Sequence, residues 1–269
     1  MPKKPTMLDW VEQLQSTGRY TFTGSRVESE TERSSVAVQT ALRRLKEQGR
    51  IVSPRRGFYV VVPPEYRATG SPPASWFIDE LMRHLDQSYY VGLLSAAAIH
   101  GAAHQQPMVF QVVTDRPTRE MRAGKVTIRF SMSGKVEQVP TTRIQTETGT
   151  MRVATPETAA FDLVRYQAAA GHLSNIATVL GELAERVDGQ ALVRIAHLVK
   201  VPDVQRLGYL LDAAGERELA TSLAEWIKTR HPRVVPLPPG EPAAAEIDDR
   251  WRVRPATPPT MDPALPSDL

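Results

Sequence analysis

The 269-residue chain contains no cysteine. That excludes disulfides and thiol nucleophiles, together with every zinc site built on thiolates, so a metal would have to be held by His and carboxylates. No apolar run comes near the roughly 20 residues of a membrane-spanning helix, and the start "MPKKPTMLDWVEQL" lacks the apolar core of a signal peptide. The default location is therefore the cytoplasm, with no membrane partner. The G-x-S-x-G elbow, the P-loop and G-x-G-x-x-G are all missing. His100 and His104 are four apart, as metal ligands on one helical face would be, but Gly101 stands where the H-E-x-x-H motif has its glutamate. A His100 that bonds backbone or caps a helix end is the plainer reading. No catalytic residue, cofactor or metal is expected, and the protein is not expected to be an enzyme.

Ordinary globular usage remains: 41% hydrophobic and 23% charged residues, with a mean hydropathy of -0.30. The length favours two domains. The formal net charge of +3 is unevenly spread. Residues 1–62 hold 11 Lys and Arg against 6 Asp and Glu, a net of +5, which leaves about -2 for the rest. Local basicity of this kind points to a nucleic-acid partner for the first segment.

That segment has a readable order. Leu8, Val11 and Leu14 at helical spacing predict a helix over 7–16. Gly18 breaks it, and a short second helix is expected around Arg26–Glu30. In "RSSVAVQTALRRLKEQGRIVSPRRGFYVVVP", residues 33–63, Ser34 or Ser35 can cap a third helix. Its buried face is Val38, Ala41, Leu42 and Leu45, and Gly49 ends it. Two strand-like runs, "RIVS" and "FYVVV", then flank the four-residue connection "PRRG". Three helices and a hairpin within about 60 residues is the order of a winged helix-turn-helix domain, expected at 1–66. Ser35, Gln39, Thr40 and Arg43 lie off the apolar face and are the candidate base contacts. Arg55 and Arg56 at the hairpin tip can reach phosphate or a minor groove, where a charged fork is favoured. Thr23, Arg33 and Ser34, at helix N-termini, are candidate phosphate contacts. The competing reading of each feature is a solvated helix and an edge-protecting hairpin. In so small a domain Trp10, Phe22, Phe58 and Tyr59 are expected in its core or an interface, not as base-stacking platforms.

"RATGSPPAS", residues 67–75, has linker composition. The second region, 76–231, opens with expected helices in "SWFIDELMRHL" and "YYVGLLSAAAIHGA". "MVFQVVTD", "KVTIRFS" and a strand pair turning at Gly149 follow. Thr155 as N-cap and Pro156 at the first helical position then open a helical second half. The basic loop "TDRPTREMR" reads as a solvated surface or as a second contact. From residue 232 onward ten of 38 residues are Pro, a tail with a strand expected near 250–254. The fold class is α+β.

"YYVGLLSAAAIHGAAHQQPMVFQVVTDRP" followed by "VATPETAAFDLVRY" resembles the body of AbiEi-family antitoxins from bacterial abortive-infection toxin-antitoxin modules. The similarity runs from the head through a late "RWRV" over about residues 7–255 and leaves the Pro-rich end unmatched. It implies a winged helix that represses its own operon by binding inverted repeats in promoter DNA, a target that a dimer could span. It also implies a mixed α/β body that counteracts a nucleotidyltransferase-type toxin, in many members as type IV protection without a stable complex, in phage defence. Ser95, His100 and Gly101 fall on the body's signature helix. The alternative is a ligand-sensing winged-helix regulator with no toxin partner.

Overall fold

The computed structural model describes residues 6–102, 109–171, 173–238 and 246–255. His104 lies outside them. The chain divides into two compact units, Met1–Tyr90 with Met108–Val136 and Arg143–Arg152, and Val91–Pro107 with Glu137–Thr142 and Val153–Leu269.

The first unit begins with α1 (Met7–Ser16), closed at its start by a capping box between Thr6 and Asp9. It continues through β1 (Thr21–Thr23), α2 (Gly24–Thr31), α3 (Ser35–Glu47), β2 (Ile51–Arg55) and β3 (Phe58–Val61). The helix–helix–helix–hairpin order is the expected one, with two differences. β1 is a third strand, paired antiparallel with β3 so that Thr21 faces Val60 and the sheet order is β1-β3-β2. Three residues between a glycine break and a helix cap are too few for a periodic signal. Pro54 and Arg55 also belong to β2, whose register against β3 shifts between Val52 and Arg55, so the connection is only Arg56–Gly57. The bulge absorbs the proline that sequence reading assigned to the turn.

Residues 67–75 are closely tied within this unit. The Gly70 N–H donates to Tyr66 O at 2.9 Å, and Ser71, Pro72 and Ala74 are buried. α4 (Ile78–His84) and β4 (Tyr89–Val91) follow. The helix expected through "YYVGLLSAAAIHGA" is in fact that strand followed by α5 (Leu93–Ile99). Tyr-Tyr-Val is a compact aromatic and β-branched run, and Gly92 in extended conformation separates it from the helix. β5 (Val109–Thr114), β6 (Met121–Ala123), β7 (Val126–Met132), β8 (Thr141–Thr146) and β9 (Gly149–Ala154) complete a six-stranded sheet of order β6-β7-β5-β4-β9-β8, mixed in direction. β5 and β7 run parallel from Val109↔Thr127 to Thr114↔Met132. At the β6–β7 turn, Gly124 (φ 55°) lies against the backbone of Thr69 and Gly70, and the Lys125 N–H donates to Thr69 O at 2.8 Å. Only a residue without a side chain fits there.

The second unit is mainly helical: α6 (Pro156–Arg165), α7 (Gln167–Ala170), α8 (Leu173–Ala184), α9 (Gly189–Ala196), α10 (Val201–Ala213) and α11 (Thr221–Lys228). Thr155 caps α6 and Pro156 opens it, as the sequence predicts. The expected late strand is present as β11 (Val253–Arg254), parallel to β10 (Val235–Pro236). Beside it Trp251, 0% exposed, lies against Gly208 in α10 and donates its indole N–H to Asp212 Oδ2 at 2.7 Å. Helices, a mixed sheet and a helical second half make the chain an α+β protein.

Candidate nucleic-acid interface

The geometry of α3 follows from which of its faces is apolar. Val38, Leu42 and Leu45 point inward onto Trp10, Leu14, Phe22, Val27 and Ile51. Trp10 and Phe22 meet edge-on at 5.1 Å, and Phe22 stacks on Tyr59 at 5.3 Å, while the Trp10 indole N–H donates to Glu30 Oε2 at 3.1 Å. Trp10, Phe22 and Phe58 are buried and Tyr59 is partly so. A hydrogen bond from Arg26, the largest cause, holds the Glu30 carboxyl below its ordinary pKa.

Fixing that inner face turns the other outward. Ser35, Val36, Gln39 and Arg43 are exposed, and Thr40 is half-buried with its hydroxyl donated back to Val36 O at 2.9 Å. Arg43 lies 3.8 Å from Glu47, both largely in solvent, a pair that water and salt screen. Ser34 caps α3 by accepting from the Ala37 N–H at 3.4 Å, and Thr23 caps α2 by accepting from the Arg26 N–H at 3.3 Å. Each hydroxyl accepts through a lone pair, so its proton is not used in the cap. The first turn of α3 thus presents unpaired backbone N–H groups next to a capping serine, with the positive end of the helix dipole behind them.

The hairpin tip carries Arg55 and Arg56, both exposed, and Gly57 at φ 82° makes the tight turn. Between tip and helix lies a groove of about 600 Å³ lined by Thr23, Ser25, Glu28, Gln39, Arg56 and His84. It brings together three of the expected contact residues, Thr23, Gln39 and Arg56. Arg33 lines a different cleft of about 700 Å³, with Arg19, Arg26, Glu30 and Glu32. Ser34, Ser35, Thr40, Arg43 and Arg55 line neither.

Sequence reasoning missed two residues here. His84, on α4, reaches the hairpin tip, its ring 5.4 Å from that of Phe58 and 3.8 Å from where a β-carbon on Gly57 would lie. No local signal could have announced a contact across so many residues. Val36 could have been found, because it stands at i with Gln39, Thr40 and Arg43 at i+3, i+4 and i+7 on the outward stripe.

Ser95, His100 and Gly101 do separate jobs in the second unit. Ser95 is buried on α5. His100 is the C-cap of that helix, and its Nε2 lies 2.7 Å from Ala154 O, a carbonyl that can only accept, so Nε2 carries the proton. Gly101 follows at φ 84°, the left-handed residue that ends the helix, and Arg186 Nη2 would be 3.3 Å from a β-carbon there. In the loop "TDRPTREMR" and the strand after it, Glu120 pairs with Arg122 at 3.3 Å and Arg129 at 3.2 Å, which offsets part of its charge. Among the described residues no group of three or more His, Asp or Glu could hold a metal ion, and no helix is long and apolar enough to cross a membrane.

Residues 90–213 match the family described as the AbiEi antitoxin C-terminal domain. The chain carries an AbiEi antitoxin domain. The matched stretch starts in β4 and ends with α10, so the AbiEi domain includes Ser95, His100 and Gly101 but neither α3 nor Trp251. The fold as a whole is similar to the crystal structure of the RV2827C protein from Mycobacterium tuberculosis, with a TM-score of 0.66 at 17% identity over 94% of this chain and 93% of that one. No curated protein matches this sequence.

Proposed function

We propose that this protein is the antitoxin of a bacterial toxin-antitoxin module, that residues 1–66 form a winged helix-turn-helix which binds promoter DNA, and that it thereby represses its own operon. The AbiEi domain supports the antitoxin half of this reading, and by resemblance the toxin it counteracts is of the nucleotidyltransferase type. The DNA half rests on one observation: the polar face of α3 is turned to solvent beside a groove that Gln39 shares with Arg56 of the hairpin. A helix of 13 residues, about 20 Å long, can lay its first turns in a major groove about 12 Å wide. The arginine tip then meets the adjacent backbone. Arg33, Ser34 and Thr23 serve as phosphate contacts that set orientation without reading sequence.

The test is a titration of the full-length protein into a duplex from its own promoter and into a scrambled one, at several salt concentrations. Specific binding at least about a thousandfold tighter than to the scrambled duplex is expected. An Arg55→Ala/Arg56→Ala variant should lower the salt slope by about two, one per lost phosphate contact. Equal binding to both duplexes removes the DNA half. Co-expression with a nucleotidyltransferase-type toxin encoded beside its gene tests the other half, and growth arrest that the protein does not relieve removes it.

A further inference from the structure

Two large hydrophobic side chains stand out as exposed among the described residues, Met132 at 52% and Val36 at 75%. A lone exposed apolar residue needs no explanation by itself. The setting of Val36 is what carries the inference. It is in the first turn of α3, on the same outward stripe as Gln39, Thr40 and Arg43, between the small residues Ser35 and Ala37. Packing does not account for it, because it faces away from the core. Helix propensity does not either, since a β-branched side chain is a poor helix former.

The surrounding residues define the partner by chemistry. Base pairs present hydrogen-bonding groups in the major groove and one apolar feature, the C5-methyl group of thymine. Thr40 gives its hydroxyl proton to Val36 O, so it has no side-chain donor left for a base. Gln39 keeps both amide donors and its carbonyl, the set that pairs bidentately with adenine N6 and N7. We infer that Val36 packs against a thymine C5-methyl group in the bound duplex and makes thymine the preferred base at that position. This rests on the DNA-binding reading given above.

The experiment replaces the thymines of the promoter duplex one at a time by deoxyuridine, which deletes only the methyl group. Binding is measured with the wild type and with Val36→Ala, whose melting temperature should not fall, because the side chain is exposed and alanine is the better helix former. At one position, or a symmetric pair, the wild type should lose about fourfold in affinity, the equivalent of burying one methyl group. Val36→Ala should bind the two duplexes within twofold of each other. Specific promoter binding with no uracil-sensitive position, or an equal loss in both proteins, overturns the thymine contact and leaves the DNA reading standing. No preference for the promoter over the scrambled duplex overturns both.

Discussion

Replacing Gly208 by Ala should destabilise the protein, against the sign that its position in a helix would give. Gly208 lies inside α10, where the exchange ordinarily gains about 1 kcal/mol of helix propensity. A β-carbon there would instead fall far inside van der Waals contact distance of three atoms of the Trp251 ring. The ring cannot slide away cheaply. Its N–H is held by Asp212, which also takes two bonds of 3.0 Å from Arg250, and Gln205 grips the carbonyls of Trp251 and Arg252 at 2.9 and 3.2 Å. Losing a buried tryptophan outright costs roughly 3–5 kcal/mol. Expulsion of the ring, net of the propensity gain, should therefore cost about 2–4 kcal/mol. Thermal denaturation followed by tryptophan fluorescence should show a midpoint lowered by at least about 5 °C. In a Trp251→Ala background the same exchange should be neutral or stabilising, because the clash is gone. A Gly208→Ala protein as stable as the wild type would refute the seating of Trp251 on α10.

Gly124→Ala should cost at least about 2 kcal/mol in urea unfolding, since its β-carbon would lie 2.6 Å from the Gly70 carbonyl carbon at a φ that already strains any side chain, whereas Gly134→Ala, with open space around it, should be silent. Ser34→Ala should remove about 1 kcal/mol of cap energy from α3 and weaken promoter binding at every sequence alike, which parallel melting and binding curves would show. Burial, assisted by the bond to Asp79, raises the Tyr89 phenol above its ordinary pKa near 10. The folded pKa thus exceeds the unfolded one, so this contribution is complete below about pH 10 and is lost as pH rises further. Alkaline titration of stability should steepen above that point in the wild type and less so in Tyr89→Phe.

What could be read from the sequence was the part encoded locally. α3 announced itself by Ser34 before it, Val38, Leu42 and Leu45 along it, and Gly49 after it, all within one stretch of chain. Thr155 and Pro156 fixed the start of α6 in the same way. The errors occurred where partners are distant. β1 exists because β3 pairs with it, and Tyr89–Val91 is a strand because it joins a sheet, so neither could be separated from its neighbours by periodicity. Likewise Gln39 and Arg56 share a groove whose wall includes His84, a residue that only the fold brings there. The outward set on α3 is legible in the sequence except for Val36, because an apolar residue in an amphipathic helix ordinarily marks the inward face.

The segmented make-up of the first unit has a consequence during synthesis. Its last piece ends at Arg152, about 90 residues after the hairpin is complete. At 5–20 residues per second a ribosome needs roughly 5–18 s to cover that distance. For about the first two thirds of this interval the nascent N-terminal segment exists without the Gly124 turn that packs on Thr69 and Gly70, and the β5–β7 pairing is completed only when synthesis reaches Met132. Chaperones or proteases would thus meet the half-built unit before it closes.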